Sequence, residues 1–234
     1  ILAGGSGTRL QSLVDDKILL PVSGKPVIRW SIEAFAQSGL FRELILVYRD
    51  DAQRSRIERA LNTSPPIGIP RKWVQGGGRR QDSVLNALET CRDTGLVFIH
   101  DGARPFVTPI DLQNLLETAS RDGAASLARP VTDTIKRAHT GGSLQQLHLE
   151  DLTRSRLYAM ETPQVFETDA ILEAYRTIHS AGKTITDCVE AYRHLGRAVS
   201  LVVAAQSNLK ITGPEDVRFA EFLVHTASIK KVIE

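Results

Sequence analysis

Ala3-Gly4-Gly5-Ser6-Gly7-Thr8-Arg9 is the segment whose residue types point most directly to chemistry. Its glycines let the backbone take positive φ and turn successive N–H groups toward one point with no Cβ in the way, which makes a concave anion site. Arg9 and, further along, Lys17 add the positive charge that a triphosphate calls for. No Gly-Lys-Ser/Thr follows, so this is not a P-loop, and Leu10 stands where the dinucleotide fingerprint needs its third glycine. The same glycines could form a plain strand-to-loop turn; the two cations and the apolar strand just before them favour a ligand.

Three later clusters carry further candidates. Gly76-Gly77-Gly78-Arg79-Arg80-Gln81-Asp82-Ser83 joins a glycine run, which permits close backbone approach, to a serine at a helix start. Ser83 can hydrogen-bond a base edge there, or act as an ordinary helix cap. His100-Asp101-Gly102-Ala103-Arg104-Pro105 closes a strand, and open α/β sheets bind ligands at the carboxyl ends of their strands. Asp101 and Arg104 either line that crevice or form a structural ion pair. Lys210, in Asn208-Leu209-Lys210-Ile211-Thr212-Gly213-Pro214, lies between a strand end and a helix start, a suitable place for a phosphate ligand. None of the six histidines is required for catalysis, and His100 reads as a packed residue of its strand end.

The elements that must position these residues follow from hydrophobic period. Aliphatic runs at 1–2, 43–48, 72–74, 96–100, 124–129 and 198–203 read as strands. Stretches of helical period over 27–37, 51–61, 81–91, 109–120, 169–180 and 214–226 alternate with them. Thr108-Pro109 and Gly213-Pro214 are helix-start signals, and Gly39, Gly95 and Gly123 mark helix ends. The alternation predicts a single α/β domain over 1–234: a Rossmann-like, mostly parallel sheet with helices on both faces. Residues 131–165 break the pattern with extended polar segments around Thr140-Gly141-Gly142-Ser143, which predicts a protruding β-arm. An isolated hairpin is marginal in water, so a second copy of the chain is the expected support, giving a homodimer.

Taken together the motifs have a family likeness. Ala-Gly-Gly-x-Gly-Thr-Arg, a downstream lysine and Leu20-Pro21-Val22-Ser23-Gly24-Lys25-Pro26 resemble the signature of the sugar-phosphate nucleotidyltransferases, and the chain as a whole resembles the 2-C-methyl-D-erythritol 4-phosphate cytidylyltransferases. The resemblance implies the nucleotide-diphospho-sugar transferase fold. It also implies transfer of CMP from CTP to a polyol phosphate by in-line attack on the α-phosphorus, with pyrophosphate leaving. Arg9, Lys17 and Lys210 are the implied catalytic cations. Ala3, Gly4, Gly5, Gly7, Gly77, Gly78, Ser83, Asp101 and Gly102 are the implied nucleotide site. Asp101, Arg104, Thr134, Arg154, Thr162 and Lys210 are the implied acceptor site, with Thr134 and Arg154 reaching across from a partner's arm. Arg154 keeps the family's spacing before Thr162-Pro163-Gln164; with Arg156 it could equally form a solvated charged face. Mg²⁺ is expected with the triphosphate, held mainly by phosphate oxygens and water. Three positions depart from the family pattern. Asp16-Lys17-Ile18 is closer to the molybdenum-cofactor nucleotidyltransferases, Gly78 replaces a common aspartate, and Ile185-Thr186-Asp187-Cys188-Val189-Glu190 keeps only part of its motif. Ribitol 5-phosphate is the alternative acceptor, and a non-catalytic nucleotide sensor the alternative of another class.

Bulk properties set outer limits. With 29 basic against 27 acidic side chains and a net charge of +2, the chain lacks the basic excess of a nucleic-acid module. Only Cys91 and Cys188 occur, far apart, which fits neither a disulfide framework nor a zinc pair and favours the cytoplasm. No apolar run reaches the roughly 18 residues of a membrane span, no signal-peptide layout opens the chain, and the start at Ile1 suggests that a few residues precede it.

Overall fold

The computed structural model of the chain describes residues 1–5, 16–62, 65–91, 95–139, 145 and 147–233, with side chains to 226. The first strand contributes only Leu2, whose backbone bridges Val47 on one side and Asp101 on the other, both parallel. Around it lie β3 (Leu44–Tyr48), β4 (Arg71–Gln75), β5 (Leu96–Ile99), β6 (Ala124–Pro130), β9 (Tyr158–Glu167) and β10 (Ser200–Val203). The resulting order is β4, β3, the Leu2 segment, β5, β9, β6, β10. All run the same way except β9, which pairs antiparallel with both β5 and β6. The sheet is therefore mixed, and β9 was not legible as a strand. Its Ala159-Met160-Glu161-Thr162-Pro163-Gln164 stretch has neither clean alternation nor a β-branched run, and only burial between two strands makes it one.

Consecutive strand residues face opposite sides of a sheet, and the two cores show this directly. Ala125 and Val165 join Ile28, Ile32, Phe35, Ile57, Leu112 and Leu115 in one core, while Ala124 and Phe166 join Val84, Leu88, Ile171, Tyr175 and Tyr192 in the other. Helices α1 (Val27–Gln37), α2 (Asp51–Leu61) and α4 (Pro109–Asp122) cover the first face; α3 (Arg80–Leu88), α5 (Thr168–Ser180) and α6 (Cys188–Arg193) cover the second. Local signals explain several boundaries. Asp50 accepts from the Gln53 N–H at 2.7 Å to start α2, and Thr108 and Asp111 cap α4 reciprocally behind Pro109. The same helix ends at Gly123, whose φ of 81° is open to glycine at little cost. Helix α7 (Pro214–Ile233) closes the chain against a small hairpin of β1 (Pro21–Val22) and β2 (Lys25–Pro26).

The arm is shorter than the expected 131–165. Residues 158–165 belong to β9 in the central sheet, which leaves β7 (Lys136–Ala138) and β8 (Leu149–Asp151) as the hairpin proper. Among the described residues no helix is long and apolar enough to cross a membrane.

Candidate active site

Because the strands flanking Leu2 are parallel, the segments that follow them emerge at one edge: Ala3–Gly5, Arg49 after β3, the glycine run after β4, and Asp101 after β5. They enclose a cleft of about 450 Å³. Its described lining contains five cationic side chains, Lys17, Arg49, Arg79, Arg80 and Lys210, against one carboxylate, Asp101. A nearly neutral chain thus concentrates positive charge where backbone amides already converge, the electrostatics of an anion site.

Asp101 is the organising residue. Its carboxylate takes Lys210 Nζ at 2.6 Å and Arg80 Nη2 at 3.3 Å. Burial on its own would raise this carboxyl; the charges of Arg80 and Lys210 outweigh it and hold the pKa far below the usual carboxylate range. Lys210 is brought there by its backbone, since the Ile211 N–H donates to the Ala103 carbonyl at 2.8 Å. Asn208 Nδ2 donates to the Thr162 carbonyl at 2.7 Å, and Arg104 Nη1 donates to the Asn208 carbonyl at 2.7 Å. Three segments distant in sequence are in this way stitched into one wall.

Thr162 lies within that wall, 5% exposed, and its hydroxyl accepts from the Asp101 N–H at 3.0 Å. His100 is wholly buried, packs on Phe35 with ring centroids 5.1 Å apart and places Nε2 3.0 Å from the Arg104 carbonyl; burial pushes its pKa down to about 3. It is the packed, neutral strand-end residue expected.

Lys17 enters the cleft from a turn of 3₁₀ helix, Lys17–Leu19, anchored by its neighbour. Asp16, 3% exposed, accepts from Gln53 Nε2 at 2.9 Å and faces Arg56 and Arg49 at 3.4 and 3.5 Å. Burial pushes its pKa up, against the Gln53 hydrogen bond and the two arginines. The departure at Asp16-Lys17-Ile18 therefore has a structural account: the aspartate ties the lysine's turn to α2.

The glycine run is shaped by contact. A Cβ on Gly77 would sit 2.5 Å from Asp82 Cβ and one on Gly76 2.7 Å from Ser83 Oγ, whereas one on Gly78 would meet nothing within 4 Å. Ser83 Oγ accepts from the Gly77 N–H at 3.0 Å and so fixes the loop that borders the cleft. Gly102, expected in the nucleotide site, is not among the residues lining the cleft; it packs against the first strand, where a Cβ would come within 3.1 Å of the Leu2 carbonyl oxygen.

A second cavity of about 410 Å³ adjoins the first, lined by Arg104, Arg129, Glu161, Asn208, Lys210 and Phe219 among others. Lys210 alone among the described residues lines both. Thr134 and Arg154 are exposed on the arm side and line neither cavity of their own chain; Arg154 Nη1 donates to the Thr132 carbonyl at 3.1 Å. Gly7 and Arg9 fall outside the described residues.

Sequence reasoning missed Arg49, Arg80, Arg129, Glu161 and Asn208. For Arg80 a signal existed: a cation in the first turn of a helix opposes the helix dipole and so needs a separate reason, which Asp101 supplies. Asn208 stands in the same motif as Lys210, but its role, like the places of Arg49, Arg129 and Glu161, became visible only when distant segments met.

A mostly parallel α/β sheet with a cation-rich cleft at its carboxyl edge is the layout of an α/β protein that binds a phosphorylated ligand. The structure superimposes on 4-diphosphocytidyl-2C-methyl-D-erythritol synthase from Anaerococcus prevotii with a TM-score of 0.81, at 24% identity over 96% of this chain and 95% of that one. It also superimposes on 2-C-methyl-D-erythritol 4-phosphate cytidylyltransferase from Thermus thermophilus with a TM-score of 0.75, at 29% identity over 96% and 97%. The family model described as 2-C-methyl-D-erythritol 4-phosphate cytidylyltransferase matches residues 1–226, and the chain belongs to that family of enzymes. Proteins of that name from Bacillus thuringiensis and Dehalococcoides mccartyi are 34% and 36% identical to it, over 96% of this chain and 96% and 94% of theirs.

Proposed function

We propose that the protein transfers CMP from CTP to 2-C-methyl-D-erythritol 4-phosphate, yielding 4-diphosphocytidyl-2-C-methyl-D-erythritol and pyrophosphate. The observation that carries this reading is Lys210, the cation shared by the two cavities and held 2.6 Å from Asp101. CTP in the first cavity and the acceptor phosphate in the second would meet at that ammonium. An acceptor phosphate oxygen attacks the α-phosphorus and forms the new P–O bond as the bond to the β-phosphate oxygen breaks. The nucleophile is already an anion, so no general base is needed, and the work left to the protein is alignment and charge stabilisation. Lys17 and Arg9 are assigned to the triphosphate, the backbone of Ala3–Gly5 with Gly7 to its oxygens, and Gly77, Gly78 and Ser83 to the base.

Mg²⁺ bound to the triphosphate would neutralise further charge. Its ligands would be phosphate oxygens and water, since the described residues gather no group of three or more His, Cys, Asp or Glu side chains, and Asp101 is engaged by two cations. We further propose a homodimer in which the partner subunit's Thr134 and Arg154 complete the acceptor site. The exposed apolar residues Ile135, Leu149 and Tyr158 on and beside the hairpin support this as surface that a partner subunit would cover. Two free cysteines support a cytoplasmic enzyme.

The decisive measurement is pyrophosphate release from CTP or GTP with 2-C-methyl-D-erythritol 4-phosphate or ribitol 5-phosphate as acceptor. Release with CTP and the erythritol phosphate is expected; binding of CTP without release on any acceptor makes the protein a sensor instead. In single-turnover kinetics, near-normal rates for both Arg9→Met and Lys17→Met would sink the charge-stabilisation role. Light scattering on Leu149→Asp should report monomers if the arm joins subunits.

A further inference from the structure

We infer that Glu161 is a specificity-determining residue for the acceptor: its inner carboxylate oxygen takes a hydrogen bond from a hydroxyl of the polyol phosphate in the second cavity. The inference rests on the CMP-transfer reading above. Glu161 is only 5% exposed and lines that cavity. Arg129 Nε holds Oε1 at 3.2 Å, while Oε2 is buried with no hydrogen-bond partner. An ionised carboxylate can only accept, and a buried acceptor left unmatched carries its full desolvation cost. A group bearing O–H or N–H is needed to complement it.

The surroundings select among such groups. Arg104 and Asn208 line the same cavity, and Arg104 Nε, a donor, and Asn208 Oδ1, an acceptor, are likewise buried without partners. Two acceptors and one donor, with the Lys210 ammonium at the shared border, match a molecule that combines an anionic phosphate with hydroxyls. The phosphate is attracted to Lys210 and Arg104 and repelled from Glu161 by like charge, which turns the hydroxylated carbons toward the carboxylate. Arg129, with a side chain 64% exposed, engages Oε1 alone, and the charge of the nearby Arg104 guanidinium adds attraction without a hydrogen bond to Oε2, so the chain's own cations leave that oxygen's acceptor capacity unfilled.

The test is steady-state kinetics of the full-length protein with the erythritol phosphate and with analogues lacking one hydroxyl. Glu161→Leu should raise the acceptor KM by about tenfold or more, the weight of one hydrogen bond to a charged group, with the KM for CTP essentially unchanged. Glu161→Gln, which keeps an accepting oxygen, should recover most of the loss. One deoxy analogue should be handled poorly by the wild type and no worse by Glu161→Leu. An unchanged acceptor KM in a natively folded Glu161→Leu overturns the inference, as does loss of the dimer with a normal acceptor KM in the dimer that remains. Should Glu161→Leu fail to fold, Glu161→Ala, which also removes the accepting oxygen, takes its place in the deoxy series, and discrimination identical to wild type overturns the inference. Failure of the wild type to release pyrophosphate with any acceptor is a separate result: it defeats the CMP-transfer reading, and this inference with it.

Discussion

The cleft and the arm use charge in opposite ways. At the cleft, Asp101, Arg80 and Lys210 come from three distant parts of the chain and are joined at or below the surface, on a wall whose backbone groups are already paired. On the hairpin, Lys136 pairs with Asp151 and Arg137 with Glu150 across adjacent strands, and every residue of β7 is exposed. Desolvated charges tie distant elements into one geometry and are costly to disturb; exposed pairs are screened and nearly dispensable. The described wall of the cleft joins segments far apart in this chain, whereas the described hairpin is held by pairs between adjacent strands.

The largest effect should come from removing the cation common to both cavities. Lys210→Met is expected to lower kcat by roughly 10²–10³, the range for loss of one preorganised charge-stabilising donor. A loss below tenfold in pyrophosphate release would put the cleft's charges on the arm's footing.

Acid should weaken the wall before the arm. His100 has a folded pKa of about 3 against roughly 6.5 unfolded, so between those values the unfolded chain binds the extra proton and stability declines as pH falls. The slope is up to about 1.4 kcal/mol per pH unit. Asp101, with its pKa depressed, contributes stability in full above roughly pH 4 and loses it as pH drops further. His100→Asn should flatten the dependence between about pH 3 and 6.5, read from urea midpoints at several pH values; an unchanged slope would remove His100 from the account.

Neighbouring glycines sharpen the contrast on a finer scale. Gly77→Ala, facing Asp82 Cβ at 2.5 Å, should cost about 1–3 kcal/mol by overpacking and raise the KM for CTP. Gly78→Ala, with open space at its Cβ in the folded chain, should leave stability near wild type. The smallest effect belongs to the arm: Lys136→Ala should change stability by less than about 0.5 kcal/mol, seen as an unmoved melting temperature. A larger loss would show that the hairpin is held by more than surface charge.

Much of this was legible beforehand, for local reasons. The expected bounds 27–37 and 51–61 coincide with the observed Val27–Gln37 and Asp51–Leu61, because amphipathic period and nearby signals at positions such as Asp50 act within a few residues. The strand ends carrying Asp101 and the glycine run were also readable, since a short aliphatic run followed by glycine is a local pattern. Strand β9 was not, because its partners lie some 40 and 70 residues away along the chain and its own composition is mixed. The same holds for α6, whose six residues are too few to show a period.

By itself the sequence determined the alternating α/β order, the glycine-rich segments and, among the cleft's described cations, Lys17 and Lys210, all properties of residue type and short spacing. Only the tertiary structure decided that β9 enters the sheet antiparallel, that Arg80 and Lys210 share Asp101, and that Glu161 keeps one buried oxygen without a partner. Those outcomes are contacts between segments far apart in the chain. Their free energy lies in desolvation and pairing across space, which no local pattern of residues records.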